Sequence, residues 1–418
     1  MHNPPRTASI HGPDNKDQLT NDVMHTLPLQ DVIDDHVTGS DGQYMPSRVT
    51  STVSPFVVRQ NDPTGPKYQE GIGYSFLQNS PKYPGLCRMD DGTLVLTMTV
   101  ALSGEIVLNE EEGVHYVDEG TRTDVILYTK DHGLSWSQPR RIPGYRTTPM
   151  DLGGSKLMMR GYTSKIDVPE TYHFWFSEDA GQTWSKPEKV PPLPDGSDVI
   201  TDVAMNFPRQ DDTIRFMFYG DQGGEDRSAT VMRLYNFERH TWGEPTFFPI
   251  KFRSSEASMT RANNGDLVAS FRSARDGIPA PSDHWRSLVT AYSTDDGKTW
   301  SEPAVHSLYG HVHHSLIAFP DDRILMTYAA RLGELDGRTY HGHEAVFSYD
   351  NGRTWDWSRR YILFRGTDGA MHSPQSVLMD NGRVLTVVMH PVSYTWRDAD
   401  TKGNLFGLSN VSVVIWQP

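Results

Sequence analysis

The chain has 418 residues, 36 % of them hydrophobic and 11 % aromatic, with 35 glycines and 28 prolines spread along its length. That size and composition suit a large, turn-rich all-β core and exclude a low-complexity chain. A formal net charge of −14 repels polyanions, so neither a nucleic-acid partner nor an anionic membrane is expected, while a local basic pocket still leaves room for an acidic substrate.

Residues 1–43 are polar, carry scattered Pro, His, Asp and Asn, and show no sustained period. They predict an extended N-terminal arm ahead of one domain over 44–418. The opening stretch MHNPPRTASIHGPDNKDQ has no apolar core of the signal-peptide kind, and nowhere does an apolar run reach the length of a membrane span. The expectation is a cytoplasmic protein, or a secreted one if a leader has been removed. Cys87 is the single cysteine, so neither an intrachain disulfide nor a cysteine-based metal site is expected.

Residues 48–59 (RVTSTVSPFVVR) read as a strand, and from there to Trp416 short β-rich runs alternate with Gly, Asp and Asn turns. One signature, an apolar run, a D-G-like turn and a second apolar run, recurs six times. It is CRMDDGTLVLTM at 87–98, MDLGGSKLMM at 150–159, NFPRQDDTIRFMF at 206–218, TRANNGDLVAS at 260–270, IAFPDDRILMTY at 317–328 and VLMDNGRVLTVV at 377–388.

A second signature follows four of these turns: YTKDHGLSWSQP (128–139), FSEDAGQTWSKP (176–187), YSTDDGKTWSEP (292–303) and FSYDNGRTW (347–355). Each places Ser or Thr two residues before an Asp, Gly two residues after it, and Trp three residues beyond the Gly. Asp131, Asp179, Asp295 and Asp350 are expected to accept hydrogen bonds from the turn's own backbone, the Gly to adopt a positive φ, and the Trp to fold back as an apolar plug. Each box offers one carboxylate rather than a cluster, so no metal is expected there. The third unit has a degraded box, YNFERHTWGEP (235–245), and the sixth has none.

Six such units at a spacing of tens of residues predict a six-bladed β-propeller with four intact Asp boxes, the alternative being an open β-sandwich array. The last strand, 410–416 (NVSVVIW), is expected to close the ring against 49–58. In a propeller the innermost strand of each blade lines the channel. Counting eight or nine positions back from each D-G turn lists residues that face a common pocket: Lys82 and Tyr83, Arg146, the region of Asp202, Glu256, His313, and His372 with Ser373. Titratable residues at the start of apolar strands point to a site.

These boxes on six blades resemble the sialidase (neuraminidase) superfamily over about residues 75–416. The resemblance implies Asp118, thirteen residues before Asp131, as acid/base, and Glu256 as the catalytic carboxylate. It also implies Arg272 and Arg338, with Arg331 competing for the second place, as cations for a substrate carboxylate. The chain departs from the family at three places. Lys82 in KYPGL replaces the first arginine, Ser373 beside His372 replaces the nucleophilic Tyr, and Met389 and His390 fall where a bracing Glu is usual.

Lys82 binds a carboxylate with less directionality than a planar guanidinium, and Ser373 is a weak nucleophile unless a base such as His372 activates it; otherwise it is a small residue that makes room for substrate. Three readings follow. An exo-acting glycoside hydrolase would use Asp118 and Glu256, with Lys82, Arg146, Arg272 and Arg338 holding an acidic or polyhydroxyl sugar. A uronate-glycan lyase would use His313 or His372 as base. A third possibility is a non-catalytic carbohydrate-binding propeller. The histidines of 309–316 and 338–345, among them His311 and His341, have no spacing that fixes a coordination geometry, so no metal or cofactor is expected. Arg160, Arg215 and Arg323 read as solvated strand-flanking residues. Trp285 reads either as a stacking platform beside the pocket or as a loop anchor.

Overall fold

The computed structural model describes residues 36–38, 44–46, 54–61, 68–76, 81–101, 106–109, 114–117, 122–163, 172–194, 196, 199–200, 207–221, 228–249, 254–273, 287–306, 310–335, 338–366, 372–391 and 409–418. Each D-G-like turn reverses one strand onto the next. At Met89, Ala262, Phe319 and Met379 the backbone N–H donates across the turn to the carbonyl of Thr93, Asp266, Arg323 and Arg383, at 2.8–2.9 Å. Where blade five has no glycine, Asp322 takes the left-handed conformation (φ 69°) that Gly92, Gly265 and Gly382 supply in blades one, four and six.

The strands assemble into six antiparallel blades. Blade one comprises Lys82–Arg88, Leu94–Ala101, Arg122–Thr129 and Arg140–Ile142, and blade two Tyr145–Gly153, Lys156–Tyr162, Tyr172–Ser177 and Glu188–Lys189. Blade three is built on Thr213–Asp221 and Ser228–Asn236, with short flanking strands that include Arg209–Gln210 and Thr241–Trp242. Blade four is Ser254–Arg261, Leu267–Ser273, Ser287–Ser293 and Ala304–Val305. Blade five is His311–Ala318, Ile324–Leu335, Arg338–Ser348 and Arg360–Gly366. Blade six takes His372–Leu378, Val384–Pro391 and Ser409–Trp416 from the C-terminal end and Tyr68–Phe76 from the N-terminal end. Blades pack face against face, so a strand such as Leu267–Ser273 or Ser409–Trp416 is buried at every position rather than at alternate ones.

The closure corrects the sequence expectation. The last strand pairs with Tyr68–Phe76, in the register Val411↔Phe76 to Ile415↔Ile72, and not with 49–58. Tyr74 and Phe76 are buried aromatics that fill the interface beside Leu385 and Val413. Ser54–Asn61 instead pairs with Tyr68–Phe76 on one side and with the outer strand of blade five on the other, which merges blades five and six into one nine-stranded sheet. The expected boundary at 43/44 falls inside a short hairpin, since His36–Thr38 pairs with Tyr44–Pro46.

In all four intact boxes the Asp accepts from the side-chain hydroxyl two residues before it (2.7–2.8 Å) and from the backbone N–H four residues after it (2.8–2.9 Å). The degraded box of blade three still closes its hairpin: Gly243 N–H donates to the Leu234 carbonyl at 2.8 Å, the bond that Ser137, Ser185, Ser301 and Asp356 make in their own blades. The boxes also reach outward to the preceding blade. A methyl group at Gly181 would lie 2.6 Å from the Tyr128 Oη of blade one, and one at Gly352 would lie 2.5 Å from Val268 Cγ1 of blade four. Trp136 Nε1 donates to Tyr74 Oη of blade six at 2.6 Å, and Trp300 stacks on Phe248 of blade three, 4.1 Å between centroids.

Ion pairs repeat this reach: His132–Asp380 joins blades one and six, Arg215–Asp296 blades three and four, and Arg353–Asp266 blades five and four. Two arginines expected in solvent are therefore interior. Arg160 is 1 % exposed and lies 4.5 Å over the Phe207 ring, and Arg215 is 5 % exposed. Arg323 is half-buried between the Phe319 and Phe347 rings and pairs with Asp321.

Gly352 (φ +84°) and Gly265 (φ +92°) share a backbone conformation but not a neighbourhood, since nothing lies within 4 Å of a methyl at Gly265. Gly265→Ala is expected to cost about 1–2 kcal/mol from backbone strain alone. Gly352→Ala should cost about 1–3 kcal/mol more, because Val268 cannot yield. Urea unfolding midpoints of the two variants check this; equal losses would show that the box glycine is not an inter-blade contact.

Candidate functional site

The inner strands of five blades slip register at one equivalent place: between Lys82 and Gly85, Tyr145 and Thr148, Ser255 and Ser258, Val312 and Ser315, and His372 and Gln375. A bulge re-aims the side chain it carries. The residue that opens the bulge is Tyr83 (φ 49°), Arg146 (φ 52°), Glu256 (φ 51°) and His313 (φ 54°) in blades one, two, four and five; the register puts Ser373 there in blade six. None of these is glycine, so each left-handed conformation is held at a cost of about 1–3 kcal/mol, and such strain concentrates at functional sites.

Three of the bulges are held by the blade before them. Glu256 Oε2 of blade four accepts the backbone N–H of His313 at 3.1 Å, and Ser258 Oγ accepts that of Leu316 at 3.1 Å. Asp124 of blade one, fully buried, accepts the Thr147 N–H at 2.6 Å, the Thr147 hydroxyl at 2.5 Å and the Thr99 hydroxyl at 2.6 Å. Burial pushes its carboxyl above the ordinary aspartate range, against the pull of these hydrogen bonds. Blade six serves blade one: Met389 Sδ accepts the Tyr83 N–H at 3.3 Å, and Gln375 Oε1 accepts that of Leu86.

Two groups of side chains result. On blades four and five, Glu256 is 2 % exposed and its Oε1 lies 2.8 Å from Arg272 Nη1 and 3.4 Å from His313 Nε2. Arg331 Nη2 lies 3.2 Å from the same His313 nitrogen. A protonated Nε2 suits the carboxylate and an unprotonated one suits the guanidinium, so the ring has a partner in either state. Arg272 Nε also donates to Ser255 Oγ at 3.1 Å. On blades one and two, the half-buried Arg146 guanidinium stacks 4.1 Å over the Tyr83 ring and 5.3 Å from that of Tyr145.

Glu256, Arg272 and His313 are thus brought together, as are Tyr83 and Arg146. Lys82 precedes its bulge and is fully buried. Asp118, Asp202 and Trp285 lie outside the described residues. His372 pairs with Met389 and Arg338 with Leu335 along their strands, and only their backbones are described. Arg331, the competitor of Arg338, is the one seen against His313. Asp124 is a functional candidate that sequence reasoning missed; its trace is a lone acid inside the strand run TDVILYT.

Glu344, fully buried, binds Arg360 and Tyr328, and His311 stacks on Tyr328 at 5.0 Å. Among the described residues no three His, Cys, Asp or Glu side chains converge as metal ligands. A cavity of about 700 Å³ lies at the other end of the inner strands, bounded by Cys87, Asp151, Arg160, Arg209, Asn263 and Phe319 among others. Its lining starts three or more residues beyond each bulge, so this space is separate from the chemistry at the bulges.

Residues 162–336 match the family described as BNR repeat-like domain. Among solved structures, a protein of unknown function from Dyadobacter fermentans aligns with TM-score 0.61 at 16 % identity, over 88 % of this chain and 99 % of that one. The NanB sialidase of Streptococcus pneumoniae aligns with TM-score 0.52 at 11 % identity, over 81 % and 68 % of the two chains. An α-L-arabinanase of Penicillium chrysogenum aligns with TM-score 0.53 at 13 % identity, over 80 % and 93 %. No match is found among curated proteins. The fold is the six-bladed propeller shared with sialidases and arabinanases.

The histidines beside the site give a pH dependence. Burial lowers the pKa of His314 to about 3 and that of His306 to about 4, and it lowers those of His311 and His341 too. His314 and His306 are neutral in the fold down to those values but protonate near pH 6.5 when unfolded, so the stability they contribute is present above pH 6.5 and is lost as pH falls towards 4; the shifts of His311 and His341 have the same sign. Asp179 and Asp295 of the boxes, lowered to about 2 by their hydroxyl and backbone donors, stay ionised through that window. Chemical unfolding at pH 5 against pH 7.5 is expected to show a loss to which His314 alone contributes about 2 kcal/mol. His314→Gln should flatten the profile by that share, and an unchanged profile would refute the assignment.

Proposed function

We propose that the chain is a glycoside hydrolase that releases a terminal, acidic sugar from a glycan. The observation that carries this reading is the set of strained bulges, which hold a tyrosine, an arginine, a glutamate and a histidine at equivalent places on one end of the inner strands. Four such residues in a left-handed conformation are costly to a structural ring and useful to a site. The glycosidase names of the structural neighbours support the same class of substrate.

In this reading Asp118 protonates the leaving glycosidic oxygen. Glu256, kept ionised by Arg272, supports the developing positive charge at the anomeric carbon and directs the attacking water. Tyr83, Arg146, Asp202, Arg272, His313 and Arg338 bind and orient the sugar. His372 serves as the base for Ser373 if that hydroxyl takes part.

A second reading is favoured by one contact, the His313 imidazole poised between Glu256 and Arg331. As a base it would remove the proton α to a uronate carboxylate. The C–H electrons then form the ring double bond, the glycosidic C–O bond breaks, and the leaving oxygen takes a proton.

Hydrolysis of aryl glycosides of acidic sugars tests the first reading. Asp118→Asn and Glu256→Gln should each lower kcat by roughly 10²–10⁴-fold with the thermal transition retained; full activity in either variant overturns it. Release of an unsaturated uronate, detected in the near ultraviolet, would replace it with the second.

A further inference from the structure

Many of the described arginines have carboxylate partners: Arg272 has Glu256, Arg209 has Asp90 and Asp151, Arg215 and Arg261 share Asp296, Arg353 has Asp266 and Arg360 has Glu344. Others, Arg140 and Arg233 among them, give N–H groups to backbone carbonyls. Arg146 stands against tyrosine rings instead. Among the described residues it pairs with no carboxylate, and its Nε is shielded from solvent without a hydrogen-bond partner. This occurs in a chain of net charge −14, where acids outnumber bases. The residue also stands at a bulge in a left-handed conformation, with its planar face against Tyr83 and Tyr145. Stacking fixes the plane of a guanidinium and leaves its N–H edge for a bidentate acid.

The backbone that presents Arg146 is tied down at the next residue. Thr147 gives both its N–H and its hydroxyl to Asp124, and Asp124 is anchored from the other side by Thr99. Without that acceptor the Thr147 N–H is buried and unsatisfied, and the bulge keeps from blade one only the Thr97 hydroxyl, which donates to the Thr147 carbonyl at 2.6 Å.

We propose that Arg146 is the anion anchor of the site, binding the carboxylate of an acidic sugar, and that Asp124 is the positioning residue that aims it. The identity of the ligand as a sugar rests on the glycan-processing reading above, whereas the anion site itself does not. The selectivity for acid over neutral sugars thereby resides on blade two, away from the ion-paired Glu256 and Arg272.

The test uses the full chain with D-glucuronate and N-acetylneuraminate as acidic probes and D-glucose as the neutral one, with binding followed by ligand-observed NMR. Wild type is expected to bind at least one acidic probe. Arg146→Met and Asp124→Asn should weaken that binding roughly 10-fold or more, with weak glucose binding unchanged. In crystals soaked with the bound acid, its carboxylate should sit on Arg146, and in Asp124→Asn the Arg146 φ should leave the left-handed region.

Should Asp124→Asn fail to fold, Thr147→Val removes one of the bonds to Asp124 and should give a smaller loss in the same acid-selective sense. The proposal is overturned if neither acid binds, if the bound carboxylate lies elsewhere, if the Asp124 or Thr147 variant binds as wild type does, or if acid and glucose binding fall together. Acid bound on Arg146 in a protein that hydrolyses no glycoside leaves this proposal standing and removes the hydrolase reading.

Discussion

The contact between each box glycine and the blade before it is the constraint on which the rest of the molecule depends. A box closes its own hairpin through the Asp, but the bare α-carbon beside that Asp is what lets Tyr128 press on Gly181 and Val268 on Gly352. Blade-to-blade spacing is thereby set at the rim, and the pitch of every inner strand follows from it. Ion pairs such as Arg353–Asp266 and His132–Asp380 span the same joints. They are partly exposed and add little beside the packing they accompany.

Inner strands positioned from the rim meet near the axis, where a second kind of joint operates. Three of the bulges take a hydrogen-bond acceptor from the preceding blade: Met389 for blade one, Asp124 for blade two, Glu256 for blade five. Glu256 therefore has two duties. One oxygen holds the His313 backbone while the other faces Arg272 and the His313 ring. A carboxylate so fully engaged is fixed in direction, and a group fixed in advance needs no reorganisation when charge develops beside it.

Much of this was legible in the sequence, because turns and boxes are local. Asp, Gly and Trp at fixed offsets specify a hairpin without reference to the remainder of the chain, and counting back from the D-G turns reached Tyr83, Arg146, Glu256 and His313, the four bulge residues in the left-handed conformation. The count was loose by one at blade one, where Lys82 and Tyr83 were both admitted, because a bulge adds a residue that alternation does not foresee. The partner of the last strand was misplaced, since two β-rich segments near the N-terminus have similar propensity and neither says locally which of them meets a strand more than 330 residues away. The interior places of Arg160 and Arg215 were not legible either. A guanidinium looks solvated in a sequence until the ring beneath it, Phe207, or the acid across a joint, Asp296, is known. Asp124 escaped for the same reason, as its meaning lies in Thr147, on a neighbouring blade.

The seam that ties the N-terminal strands into blades five and six has a consequence for how the molecule comes into being. Ser75 and Ser412, whose hydroxyls meet at 2.5 Å, are 337 positions apart in the chain. During synthesis the hairpin of Ser54–Asn61 and Tyr68–Phe76 emerges early and waits, with both outer edges open, for partners made near the end. An open edge is a template for any strand that passes, so the interval before the ring shuts is the stretch of the protein's life most exposed to mispairing with another chain. Closing a loop of that length is also slow. The seam that leaves the finished ring without a free edge there is the step that a nascent chain completes last.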